Sequence, residues 1–187
     1  MRSVLLLILA GALVAQSPKY GVGRAPTADE VRQWSISVAP DGTGLPEGSG
    51  TAAAGSRIFA DRCARCHGAE GRGGDSGALA GGRGTLNSPK PLRTVGSYWP
   101  FATSVWDYVN RAMPFDRPGT LKPGEVYALT AYLLFLNGIV PENAPMDSRS
   151  LPRVQMPNRN GFVRDPRPDV PVSGAGRRTT PRPNRSR

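Results

Sequence analysis

Five consecutive residues constrain this chain more than any other feature: Cys63-Ala64-Arg65-Cys66-His67. They contain both cysteines and the single histidine of the 187 residues. A zinc site wants about four ligands, one more than this set offers. A thioredoxin-like C-x-x-C opens a helix in a βαβ context, whereas this one closes a helix and no strands flank it. A plain exported disulfide fits the cysteine count but uses neither the histidine nor the helix and glycine-rich loop on either side. C-x-x-C-H is the attachment pattern of c-type haem. Two thiols three residues apart at a helix end can each add across one vinyl group, which fixes the next residue beneath the iron. Cys63 and Cys66 are therefore read as the thioether residues of one haem c, and His67 as its proximal ligand.

With no second histidine, a bis-histidine site cannot form within one chain. The sixth ligand is then a methionine, something weaker, or nothing. Met113, Met146 and Met156 are the candidates. Met113 is favoured because it follows a helix and precedes Pro114, whose ring disfavours helical geometry at the residue before it and so puts the sulfur on a loop. Met146 and Met156 lie in a later arm, outside the predicted core. A lone methionine more often fills a core gap than binds a metal, but Met/His ligation is an established option for c-type haem.

Around the motif the sequence predicts a small all-α domain. A helix is expected over 50–66, with Thr51 as N-cap and Gly55 and Phe59 one turn apart on one face. A glycine inside a helix costs about 1 kcal/mol against alanine, so another backbone is expected to pack closely at Gly55. Residues 68–96 are glycine-rich and read as loop. A second helix is expected over 104–112, stopped by Pro114. A third runs over 123–137, with Pro123 in its first turn and Gly138 as its terminator. Its stripe is Val126, Leu129, Tyr132, Leu133 and Leu136, and Lys122 stands at its N-cap position without a capping side chain. The expected organisation is a leader over 1–16, an N-terminal arm over 17–49, a haem domain over 50–140, a C-terminal arm over 141–163 and a basic disordered tail over 164–187. Within the first arm, Thr27-Ala28-Asp29-Glu30 reads as a capping box that starts one short helical turn.

The leader reading rests on Arg2, the apolar run Val4 to Leu9, and small residues Ala10, Ala12 and Ala15 as cleavage sites. The alternative, an uncleaved anchor, is disfavoured because the apolar stretch falls short of the roughly 20 residues a spanning helix needs. No transmembrane segment is expected, and export to the periplasm is. The net charge of +10 is unevenly spread, since Arg164 to Arg187 holds seven arginines against two aspartates. Export argues against nucleic acid as the tail's partner, as does the lack of aromatics among its arginines. An anionic surface, an acidic partner or plain solvation remain.

Class I cytochrome c is the family these residues resemble. Its pattern is a glycine and an aromatic ahead of C-x-x-C-H, a methionine in a late loop, and Leu-x-x-Tyr in the last helix. Gly55, Phe59, Met113, Leu129 and Tyr132 match it, and in the family the two helices cross at that glycine. A narrower likeness covers most of the chain. Tyr20-Gly-Val-Gly-Arg-Ala-Pro-Thr, Gly96-Ser-Tyr-Trp-Pro, Arg111-Ala-Met-Pro-Phe, Glu125-Val-Tyr-Ala-Leu-Thr-Ala-Tyr-Leu-Leu-Phe-Leu-Asn-Gly and Met156-Pro-Asn-Arg-Asn-Gly resemble the cytochrome subunit of Sox-type sulfite (sulfane) dehydrogenases. That resemblance implies a molybdenum-containing catalytic subunit as electron donor, and a downstream cytochrome or oxidase as acceptor. The chain departs from the family in two ways. Some members carry a second haem domain, and this sequence has no second motif. The family loop commonly carries Gly-Pro before a leucine, with the proline carbonyl orienting the proximal histidine. Gly77-Ala78-Leu79 stands here instead, so another carbonyl must accept the imidazole N–H, or that bond is weaker.

The expected role is single-electron transfer through one haem. Leu79, Val95, Val105, Trp106 and Val109 are candidates for the haem wall, or else ordinary core. Tyr98 and Trp99 are candidate donors to the haem propionates, with structural packing the alternative. Three other readings stay open: a free-standing carrier for another periplasmic dehydrogenase, a haem enzyme with a free sixth site, for which no distal histidine is available, and a docking module built on the arms.

Overall fold

The computed structural model describes residues 22–163, 165 and 167. The expected leader lies outside the described residues, as does most of the basic tail. The chain divides at Ser35–Ile36 into two units.

In the first unit a single helix, α1 (Ala28–Trp34), forms where the capping box was expected, and it runs for seven residues. The Glu30 N–H donates to Thr27 Oγ1 at 3.2 Å, and the Thr27 N–H donates to Glu30 Oε2 at 2.7 Å. Arg24 adds an ion pair to the same carboxylate. The Arg24 guanidinium, helped by the Thr27 N–H, draws the Glu30 carboxyl down to about 2. Capping explains why so short a helix forms with no buried residue of its own.

The second unit holds the remaining helices: α2 (Ala52–Arg62), α3 (Ala64–His67), α4 (Ala102–Ala112) and α5 (Pro123–Leu136). Thr51 caps α2 by accepting the Ala54 N–H at 3.3 Å. The first predicted helix is broken at Cys63, whose backbone (φ −121°, ψ −36°) steps out of helical geometry before α3 resumes. α2 crosses α5 at Gly55. A Cβ there would lie 2.0 Å from the Ala128 carbonyl oxygen and 2.9 Å from Tyr132 Cβ, so only glycine permits the contact. One turn on, Phe59 is buried with its ring 5.3 Å from that of Tyr132. The conformational cost of a mid-helix glycine thus allows two backbones to meet.

α4 begins at Ala102, two residues before the expected start, and Thr103 is fully buried with its hydroxyl donating to the Pro40 carbonyl at 3.2 Å. α5 has Pro123 in its first turn, and Glu125 supplies half of the missing cap by accepting the Lys122 N–H at 2.7 Å. Gly138, at φ +65°, ends it.

The segments on either side of the helical core are built into it. Val38 is buried, and Tyr127 donates its hydroxyl to the Pro46 carbonyl at 2.9 Å. Burial pushes the Tyr127 phenol up to about 12. Ser49–Gly50 (β1) pairs antiparallel with Met146–Asp147 (β2), Gly50 opposite Met146. Leu151, in a short 3-10 turn over Leu151–Arg153, is fully buried. Met146 and Met156, expected outside the core, are 5 % and 4 % exposed within it. The fold class is all-α as expected, and the two-residue strand pair is too short to have left a sequence pattern. Among the described residues, no helix is long and apolar enough to cross a membrane.

Candidate haem site

The pentapeptide spans the junction of α2 and α3. Cys63 and Cys66 are both free thiols, half-buried, with no disulfide between them. The Cys66 and His67 N–H groups both donate to the Cys63 carbonyl, at 3.1 and 3.0 Å, so one tight turn carries all three side chains. Burial is the main cause that pushes the Cys63 thiol up to about 11, against a smaller opposing pull from Arg62, and the group stays S–H at neutral pH.

The imidazole is oriented from the following loop. His67 Nδ1 lies 3.0 Å from the Gly77 carbonyl oxygen. A carbonyl only accepts, so Nδ1 carries the proton and Nε2 is the nitrogen left to bind iron. The carbonyl that replaces the family's proline carbonyl is therefore that of Gly77. The loop is folded back onto the motif by backbone bonds. Gly73 N–H donates to His67 O at 3.0 Å, Ser76 N–H to Cys66 O at 2.8 Å, and Leu79 N–H to Gly71 O at 2.7 Å. Gly68 sits at φ +78°, and a Cβ there would be 2.5 Å from the Gly73 carbonyl oxygen. The glycines let the loop double back close enough to present its carbonyl.

Met113 is the first residue after α4, in extended geometry (φ −121°, ψ 149°), as Pro114 demands. It is half-buried against the core. The loop that carries it approaches the motif, since Arg65 of α3 and Asp116 form an ion pair at 3.7 Å. Met146 and Met156 are enclosed by core side chains, which leaves Met113 as the one partly exposed methionine among the described residues. Upstream, Arg111 Nε lies 3.0 Å from both oxygens of the buried Asp107, and Asp107 Oδ1 also accepts the Val38 N–H at 2.9 Å. Sequence reasoning missed this ion pair, although the i,i+4 spacing of Asp107 and Arg111 on a helix was a usable signal. Gly77 had no such signal, because its contribution is a main-chain oxygen.

The remaining candidates separate. Leu79 and Trp99 are half-buried against the core, while Val95, Val105, Trp106 and Val109 are 1–8 % exposed and form part of it. Trp106 packs against Tyr127 with ring centroids 5.4 Å apart, and its indole N–H has no acceptor among the described residues. Trp99 meets Tyr108 edge-on at 5.7 Å. Tyr98 lies under the Arg93 guanidinium at 5.5 Å and against Phe162 at 5.2 Å, and Asn158 donates to its carbonyl at 2.8 Å. A cleft of about 270 Å³ lined by Arg72, Gly81, Arg83, Gly96, Leu136 and Asn137 shares no residue with this set.

The donor set fits haem c: two free thiols one turn apart, an adjacent imidazole with its proton already committed to a carbonyl, and one half-buried thioether on a neighbouring loop. Among the described residues, no group of three His, Cys, Asp or Glu side chains could hold a metal ion by itself. When bound, the haem supplies a one-electron ferric–ferrous couple.

Comparison with known proteins agrees with the chemistry. Residues 50–133 match the family model described as cytochrome c oxidase, cbb3-type, subunit III. The sulfane dehydrogenase SoxCD from Paracoccus pantotrophus contains a chain 41 % identical, with a TM-score of 0.73, over 88 % of this chain and 87 % of that one. No curated protein matches the sequence. The chain therefore belongs to the c-type cytochromes, in the family of Sox-type cytochrome subunits, and is a haem electron-transfer subunit carrying covalently bound haem c.

Proposed function

We propose that this protein is the electron-accepting subunit of a periplasmic, molybdenum-dependent sulfite or sulfane dehydrogenase. The observation that carries the reading is the extent of the likeness to the sulfane dehydrogenase chain. At 88 % of this chain it exceeds the helical core, so it must include the flanking arms. Arms have no role in holding haem in a minimal cytochrome fold, and a shared arm architecture fits a shared docking partner. Export through residues 1–16 and delivery of electrons to a downstream cytochrome or oxidase complete the reading.

In this reading Cys63 and Cys66 would hold the haem by thioethers, and His67 Nε2 and the Met113 sulfur would bind its iron. The Gly77 carbonyl fixes the imidazole proton on Nδ1, so the ring keeps one orientation and one ligand nitrogen in both oxidation states. The thioether of Met113 would favour the reduced state and raise the potential. Tyr98, exposed at the surface, and Trp99, half-buried against the core, are the residues that would donate to the propionates.

The test is a pull-down of the tagged mature protein from native periplasm, followed by addition of sulfite while the reduced haem band is recorded. Reduction by sulfite with molybdenum in the captured complex is the expected result. A captured partner that leaves the haem oxidised would remove the substrate assignment and leave the cytochrome.

A further inference from the structure

Asp107 is buried, yet it accepts four hydrogen-bond contacts from two residues. Arg111, one turn along α4, grips it through Nε at 3.0 Å from each oxygen and Nη2 at 2.5 Å from Oδ2. From the other side it takes the main-chain N–H of Val38 at 2.9 Å, a contact across 69 positions of sequence. Thr103, one turn earlier on α4, binds the Pro40 carbonyl at 3.2 Å. The segment around Val38 to Pro40 is thus bonded along the helix whose next residue is Met113. Arg111 itself stands two residues before that methionine. A carboxylate with all its partners in place is a rigid node, and removing it strands the buried Val38 N–H and releases the half-exposed Arg111 guanidinium.

We propose that Asp107 is a positioning residue for the methionine ligand: fixed by Arg111 of the same helix, it ties α4 to the Val38 main chain, and so holds Met113 at the distance iron ligation needs. The inference rests on Met113 being the axial ligand. It assigns the N-terminal segment from Ile36 onward a part in ligation, although that segment contributes no group to the haem. A disturbance of this segment, such as partner docking, then reaches the haem through Asp107.

The test uses the full-length holoprotein and compares Asp107→Ala, Asp107→Asn and Arg111→Gln. Three readouts are followed: the near-infrared methionine–iron charge-transfer band, the reduction potential and Val38 amide exchange. Asp107→Ala is expected to raise the fraction lacking the methionine bond about tenfold or more, with a lower potential and faster Val38 exchange, while the helical signal persists. Asp107→Asn keeps an acceptor for Val38 and should recover most of the band. Arg111→Gln should fall between them, and it serves if Asp107→Ala does not fold. A band abolished in Met113→Ala but unchanged in Asp107→Ala, together with an unchanged potential, would overturn the proposal alone. A band absent from the unaltered protein, or one that survives Met113→Ala, would overturn the ligand assignment and the proposal with it.

Discussion

The histidine and methionine sides of the site are built in different ways. The backbone hydrogen bonds that bring the Gly77 carbonyl to His67 fall between Cys63 and Leu79, and Leu79 of that run is also tied further off, to Val95 and Asn137. The methionine side depends on residues far apart in sequence: Arg65 with Asp116, Asp107 with Val38, and Thr103 with Pro40. A local motif with glycines at its turns closes with little loop entropy, whereas the methionine side requires the whole unit to be assembled. Substitutions on the two sides should therefore fail differently.

The largest effect is expected at the local side. Cys63→Ser together with Cys66→Ser should abolish covalent haem, measured as haem that extracts fully into acidified solvent. Either single change should leave one thioether and a haem that still resists extraction. Retained covalent haem in the double variant would break the assignment.

Next comes the crossing that both sides share. Gly55→Val places a Cβ on the Ala128 carbonyl and should cost about 3 kcal/mol or more, or prevent folding. Denaturant titration against the unaltered protein measures it, and a loss under about 1 kcal/mol would show that the helices can separate without harm.

On the long-range side, Met113→Ala should keep the haem attached and lower its potential by on the order of 0.1 V or more, within the ~0.8 V range that axial ligands command. Added cyanide or imidazole should then bind at rates the unaltered protein does not show. An unchanged potential would mean that the histidine side alone governs the iron.

A smaller effect follows from Tyr127, which ties the N-terminal segment to α5. Its phenol is raised above its ordinary value of 10 to about 12, so the folded state favours the neutral form. That stability is fully present below pH 10 and is lost as the pH rises through about 12. Tyr127→Phe should flatten the fall in stability over that window, read by denaturant midpoints at several pH values. The smallest change is expected for Arg65→Ala. Its pair with Asp116 is exposed and should contribute about 0–1 kcal/mol, an effect that added salt erases. A larger, salt-resistant loss would mean that the methionine loop leans on the motif more than an exposed pair can account for.

Much of this was legible without coordinates, for identifiable reasons. Thr51, Pro114, Pro123 and Gly138 act on the backbone within a turn of themselves, so helix limits came out within a few residues except at Cys63, where a helix expected to continue is broken. Gly55 could be read as a close-approach position because nothing local justifies glycine there. Met146 and Met156 were misplaced, because a turn-rich segment gives no periodic sign of burial until it is known which face it covers. The Gly77 carbonyl was unreadable for a simpler reason: every residue has one.

By itself the sequence determined the chemistry at the motif: two thiols, one imidazole and the spacing that sets them on one turn, together with the helices that local capping and proline geometry impose. Those effects act over a few residues and need no assembled fold. Only the tertiary structure decided which carbonyl orients the histidine, which methionine stays partly exposed, and that Asp107 joins the helix before Met113 to Val38. The first and last depend on where main-chain atoms beyond the reach of one turn come to lie, which pair to avoid burial without a partner, and the second on which side chains pack over each methionine. Pairing of that kind is a property of the assembled chain and leaves no mark on residue type.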